Sequence, residues 1–223
     1  MNAAKIRLSP PEMELVLNAD WILTKNRVMD KAREMMGMLR GFQQEIIEEN
    51  WNGVFPDIVM QSGAKLTRGE NYLGLPWLVL DHPRLFQKED VMALRSFFWW
   101  GRFFSVTLHL AGRYKTLYEN QVLSQWDSLQ KAPRQTVTVP GDPCYYICVH
   151  SSPWEHHFER ENYRPAEELS REEWESVIRD KPFIKLARKI PLTAWEGPFE
   201  ICDVLGWHYY SLLKLLGGRQ SVT

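Results

Sequence analysis

Residues 72–114, YLGLPWLVLDHPRLFQKEDVMALRSFFWWGRFFSVTLHLAGRY, carry much of the chain's driving force for folding. Two β-like apolar runs stand out, residues 77–80 (WLVL) and 103–110 (FFSVTLHL). Between them the pattern predicts a short helix over residues 88–95, leading into the aromatic block Phe97-Phe98-Trp99-Trp100. The first strand is expected to stop at Asp81-His82-Pro83, where Asp81 can accept turn amides and Pro83 fixes the exit. In the second, Phe104, Val106, Leu108 and Leu110 share one face, while Ser105, Thr107 and His109 share the other.

Upstream of this stretch the chain reads as helical. Ser9-Pro10-Pro11-Glu12 is a helix start, with Ser9 as cap, Pro10 where no amide hydrogen is needed, and Glu12 closing a capping box. Val28, Ala32, Met35, Leu39, Phe42 and Ile46 recur at steps of four and three, one stripe of a helix that must lie against something. Gly37 and Gly41 fall inside it, so either a neighbour comes close to the backbone there or the helix breaks. Asn52-Gly53 and Pro56 end the helix, and a loop-like tract is expected to follow, marked by Ser62-Gly63, Gly69 and Gly74-Leu75-Pro76.

Downstream, Tyr118, Val122, Trp126 and Leu129 define one face of a helix ended by Pro133. Residues 135–139 and 144–150 alternate around Pro140-Gly141-Asp142-Pro143, which predicts a hairpin. Ser170 with Glu173 repeats the capping box ahead of a helix ending before Pro182, and residues 204–216 read as a C-terminal helix. No repeat divides the chain. The polar tract 151–170 is the best boundary candidate, but too few residues follow it for an independent core, so one domain over residues 1–223 is expected.

Composition bounds the function. There are 27 Lys+Arg against 28 Asp+Glu, and no basic run, so the counterion-releasing surface that nucleic acids require is not expected. Three cysteines, an odd count in a chain long enough to fold without staples, read as reduced thiols. Residues 1–9 lack the apolar stretch of a secretory signal, and Arg102 and His109 interrupt the longest apolar runs. The expectation is a cytoplasmic protein with no membrane partner.

Two constellations could carry chemistry. In the hairpin strand, Cys144, Tyr146, Cys148 and His150 share a face. Were it in one sheet with residues 103–110, the two polar faces would line a common hollow. Ser105, Thr107, His109, Tyr146, Cys148 and His150 would then bind a small molecule or peptide, flanked by Trp99 or Trp100. The second constellation is His150, Glu155, His156 and His157, whose imidazoles and carboxylate are zinc-type ligands. Cys144 and Cys148 would lie about 13 Å apart on a strand, too far to chelate one ion. A nucleophilic arrangement of Ser105 or Cys148 with His109 or His150 and Asp81 is also conceivable, but no nucleophile elbow surrounds either.

The reading is an α+β domain, an antiparallel sheet packed against N-terminal and central amphipathic helices. The expected function is a binding module that uses the polar sheet face. The alternatives are a metal-assisted hydrolase on His150, His156 and His157 with Glu155 as base, and a scaffold binding a partner helix through Met29, Met35, Met36 and Met38.

Overall fold

The computed structural model describes residues 6–51, 54–131, 144–198 and 200–217. Its centre is a seven-stranded antiparallel sheet, as the expected α+β class requires. The strands are β1 (Lys65–Tyr72), β2 (Leu75–Phe86), β3 (Val91–Trp99), β4 (Phe103–Ala111), β5 (Tyr146–Cys148), β6 (Tyr163–Pro165) and β7 (Phe183–Ile190), in the order β1-β2-β3-β4-β7-β5-β6. The first four form a meander, and β7 then inserts between β4 and β5.

The helices are α1 (Pro10–Leu17), α2 (Ala19–Asn50), α3 (Asp57–Met60), α4 (Arg113–Ser124), α5 (Trp126–Lys131), α6 (Arg171–Asp180) and α7 (Ile201–Leu213). Both capping boxes form: Glu12 reaches back to Ser9 N at 2.6 Å, and Glu173 to Ser170 N at 2.8 Å. One face of the sheet, bearing Phe104, Val106, Leu108 and Leu110, packs with α2, α4, α6 and α7 in a single large core. Fully burying each such aliphatic side chain stabilises by about 1.5–3 kcal/mol.

Several expectations are corrected. Residues 88–95 are not helical: β3 runs from Val91 to Trp99, buried on both faces so that no alternation betrays it. β2 does not stop at Asp81 but continues past Pro83 to Phe86, with a shift of register between Asp81 and Arg84. The loop-like tract expected after Pro56 contains the short helix α3 and the edge strand β1, whose side chains are mostly polar. α2 continues unbroken through Gly37 and Gly41, and nothing lies within 4 Å of where either Cβ would stand. The close approach is instead at Gly206 of α7, where an added Cβ would meet the ring of Phe42. The buried stripe of α2 is turned by about one residue from the expected one: Met29, Met36, Gln43 and Ile47 join Ala32, Met35 and Leu39, while Phe42 stays partly exposed. Gln43 donates to Ser96 Oγ at 2.9 Å. The helix over residues 118–129 is two, α4 and α5, separated at Gln125. The first strand of the expected hairpin lies outside the described residues. No helix among the described residues is long and apolar enough to cross a membrane.

Candidate functional site

Register decides what meets on the second face of the sheet. Asp81 pairs with Arg95, Arg95 with Thr107, Thr107 with Ala187, and Ala187 with Tyr146. Since side chains alternate, this row and its neighbours two positions away project together. Val79, Phe97, Trp99 and Phe103 form one apolar cluster there; Cys148, Tyr163, Phe183 and Ala187 form another.

This face is roofed by the irregular segment 149–162, which acts as a strap. Lys181 Nζ donates to the carbonyls of Val149 (2.7 Å) and His150 (2.8 Å). Lys185 Nζ, on β7, donates to those of Pro153 (2.8 Å) and Glu155 (2.5 Å). The Tyr72 hydroxyl accepts from His156 N at 2.7 Å and His157 N at 3.3 Å, and donates to Glu155 Oε2 at 3.2 Å. Buried Asn162 donates from Nδ2 to the carbonyl of His157 at 2.5 Å. A segment with no ladder of its own has to satisfy its buried polar backbone with side chains, and these bonds do so.

The residues expected to form the site are distributed as follows. Ser105, Thr107, His109, Tyr146 and Cys148 all lie on the strap face, although β7 separates the two strands. The hollow they were to line is filled. His109 packs against Phe86, Trp154 and Phe183, with ring centroids 6.4, 5.7 and 5.8 Å away. Its Nε2 has no partner among the described residues, and burial, aided by Lys185 and Arg95, pushes its pKa down to about 3. Tyr146 meets Phe158 edge-on at 4.9 Å. Burial raises the Cys148 thiol, whose Sγ donates to Asn162 Oδ1 at 3.4 Å. A thiol held protonated is a poor nucleophile. His150 closes a local turn, accepting from Ser152 N at 3.1 Å. Of the two tryptophans expected to flank the site, Trp100 packs with the helix-side core, edge-on to Phe98 at 6.5 Å, and Trp99 lies on the strap face.

The imidazoles proposed for zinc are engaged separately. His156 Nε2 lies 3.1 Å from Arg95 Nη1 and His157 Nε2 lies 3.9 Å from Glu155 Oε2. Among the described residues no three His, Cys, Asp or Glu side chains are grouped to hold a metal ion. The partner-helix reading is corrected as well, because Met29, Met35 and Met36 are buried in the chain's own core and Met38 alone of the four is exposed.

What the sequence reading missed is a cleft of about 290 Å³ where the strap meets β1, β2 and β3. Tyr72, Trp77, Phe97 and Trp154 supply aromatic surface; Asp81, Arg95 and His156 supply the polar floor. Arg95 donates side-on to Asp81, from Nε to Oδ1 at 2.7 Å and from Nη2 to Oδ2 at 3.0 Å. His156, with its pKa driven well below 6.5 by burial and by Lys185 and Arg95, is neutral and accepts from Arg95 Nη1. Three of the five guanidinium N–H groups are thus used, and two remain without a partner among the described residues. Trp77 owes its position to Gly69 across the strand pair: a Cβ there would lie 2.4 Å from the indole. A second cleft, about 460 Å³, lies on the other side of the strap. Although larger, it is lined mainly by charged and polar groups, Arg102, His157, Glu159, Glu161 and Lys189, with Lys189 over the rings of Phe103 and Phe158 and Arg102 over Trp99. The smaller cleft is the better candidate, because it joins apolar walls to a few fixed polar groups.

Compared with known proteins, the chain matches no protein family, no curated protein and no solved structure.

Proposed function

We propose that the chain is a binding module for a small planar molecule bearing a hydrogen-bond acceptor, held in the cleft between the strap and β1–β3. The observation that carries this reading is Arg95, fixed by Asp81 and His156 yet retaining two N–H donors without a partner among the described residues, beside four aromatic side chains. Rings of this kind offer flat surface at low entropic cost, and a pre-oriented guanidinium supplies direction. A cleft of only about 290 Å³ favours a small molecule over a peptide. The polar sheet face therefore serves mainly as the support: Thr107, His109, Tyr146 and Cys148 hold the strap side and the cleft lies at its margin.

The test is ligand-observed NMR with a panel of one- and two-ring heteroaromatics carrying carbonyl or carboxylate groups. Binding is expected for some members, lost in Trp77→Ala and weakened about ten-fold or more in Arg95→Lys, since a hydrogen bond to a charged group contributes about 1.5–3 kcal/mol. Substitution of Lys189, which lines the other cleft, should change nothing. No binding by any panel member, or equal binding by Trp77→Ala, would refute the proposal.

A further inference from the structure

The N-terminal arm is a second feature, independent of the cleft. None of the residues of α1 is buried, and α2 contributes its first buried side chain only at Met29. Asn18 separates the two helices, its side chain accepting from Trp21 N at 3.1 Å to cap α2. Around this corner lie Leu15, Val16, Leu17, Trp21, Ile22 and Leu23, between 43% and 76% exposed. Clustered apolar surface of this kind marks an interaction site.

Two observations identify the occupant. Consecutive residues on an α-helix point about 100° apart, so Leu15, Val16 and Leu17 face different sides of α1. A flat surface covers only one of those sides, whereas a two-helix arm meeting it from more than one direction covers them all. The charges are also ordered along the arm. Residues 6–20 contain three acids, Glu12, Glu14 and Asp20, against Arg7; in residues 21–33 Lys25 is taken up by Glu70 of β1, leaving three exposed bases, Arg27, Lys31 and Arg33, against Asp30. An arm that is acidic at one end and basic at the other complements a copy of itself in antiparallel orientation, the condition for an isologous two-fold contact. An anionic lipid surface would instead repel the acidic end, where the apolar residues begin.

We propose that the arm, residues 8–33, pairs two copies of this chain through an antiparallel two-fold interface. Sedimentation velocity across the micromolar range tests it. The wild type is expected to be a dimer, and Leu17→Glu with Trp21→Glu to dissociate at least about ten-fold more readily, since central apolar anchors dominate such contacts. Those side chains are exposed within one chain, so the far-UV dichroism should be unchanged, while the melting temperature should lose the protein-concentration dependence that a dimer confers. Two further variants separate self-pairing from general stickiness. One carries Glu12→Lys, Glu14→Lys and Asp20→Lys; the other carries Arg27→Glu, Lys31→Glu and Arg33→Glu. Each alone should be monomeric, and an equimolar mixture should form a heterodimer. A monomeric wild type, a dimer that survives the two glutamates, a mixture that fails to pair, or capture by anionic vesicles in place of self-association would overturn the proposal.

Discussion

Replacing His109 by leucine should remove a defined part of the protein's acid sensitivity. The unfolded chain takes up a proton on this imidazole below about pH 6.5, whereas the folded chain resists until about 3. Between those values the unfolded state binds more protons, so stability falls as pH falls. Integrated from about pH 7 to about pH 5, the loss from His109 is about 2 kcal/mol. His82, buried and lowered to about 4 by desolvation and Arg40, adds a loss of the same sign and about the same size, and His156 acts in the same direction. Against a total of about 5–15 kcal/mol this is a large fraction, and the protein should unfold readily in mild acid. Urea unfolding followed by tryptophan fluorescence at the two pH values, on wild type and His109→Leu, measures the effect. The difference between the two pH values should shrink by about 2 kcal/mol in the variant. Any packing loss from leucine appears at both pH values and cancels. An unaltered pH difference would refute the claim that a neutral imidazole is locked between Trp154, Phe86 and Phe183.

Lys185→Met should loosen the strap, raising hydrogen exchange at the amides of His156 and His157. It should also abolish a gain of about 2 kcal/mol that wild type shows between about pH 8 and 10, because burial holds the folded amine at about 8 while the unfolded one keeps its proton to about 10.5. Asp81→Ala leaves the Arg95 charge without its carboxylate and should destabilise by about 3–5 kcal/mol in chemical denaturation. The double variant with Arg95→Met should be the more stable of the two, and a less stable double variant would count against the pairing as described. Gly69→Ala should displace the Trp77 indole, visible as a changed near-UV dichroism with the fold intact; an unchanged spectrum would mean that the ring does not lie over Gly69.

Local rules were enough for the helix starts. Ser9 with Glu12 and Ser170 with Glu173 bond within three residues of one another, so adjacent sequence contains the whole signal. The strand over residues 103–110 was legible because its polar and apolar residues alternate. β3 was not, since a strand buried on both faces loses that alternation, and Lys88-Glu89-Asp90 before it imitates a helix start. β7 passed unnoticed although Phe183, Lys185, Ala187 and Lys189 occupy one face and Ile184, Leu186, Arg188 and Ile190 the other. Its cations resemble surface residues until the strap carbonyls that receive Lys185 are known. The cleft depends on the β2–β3 register and on where the strap lands, both set by contacts distant in sequence. A cross-strand search for opposite charges at matched alternation would have suggested Asp81 with Arg95.

The insertion of β7 beside β4 has a consequence for biosynthesis. The meander from Lys65 to Ala111 can pair as soon as it leaves the ribosome, but β4 must wait for Phe183–Ile190 before its outer hydrogen-bonding groups are met. During that interval a nascent chain displays an open, strongly apolar strand margin, the kind of template on which neighbouring polypeptides mispair. Slow translation between β4 and β7 would therefore lower the yield of soluble product, and supplying the C-terminal strand early, by circular permutation, would raise it.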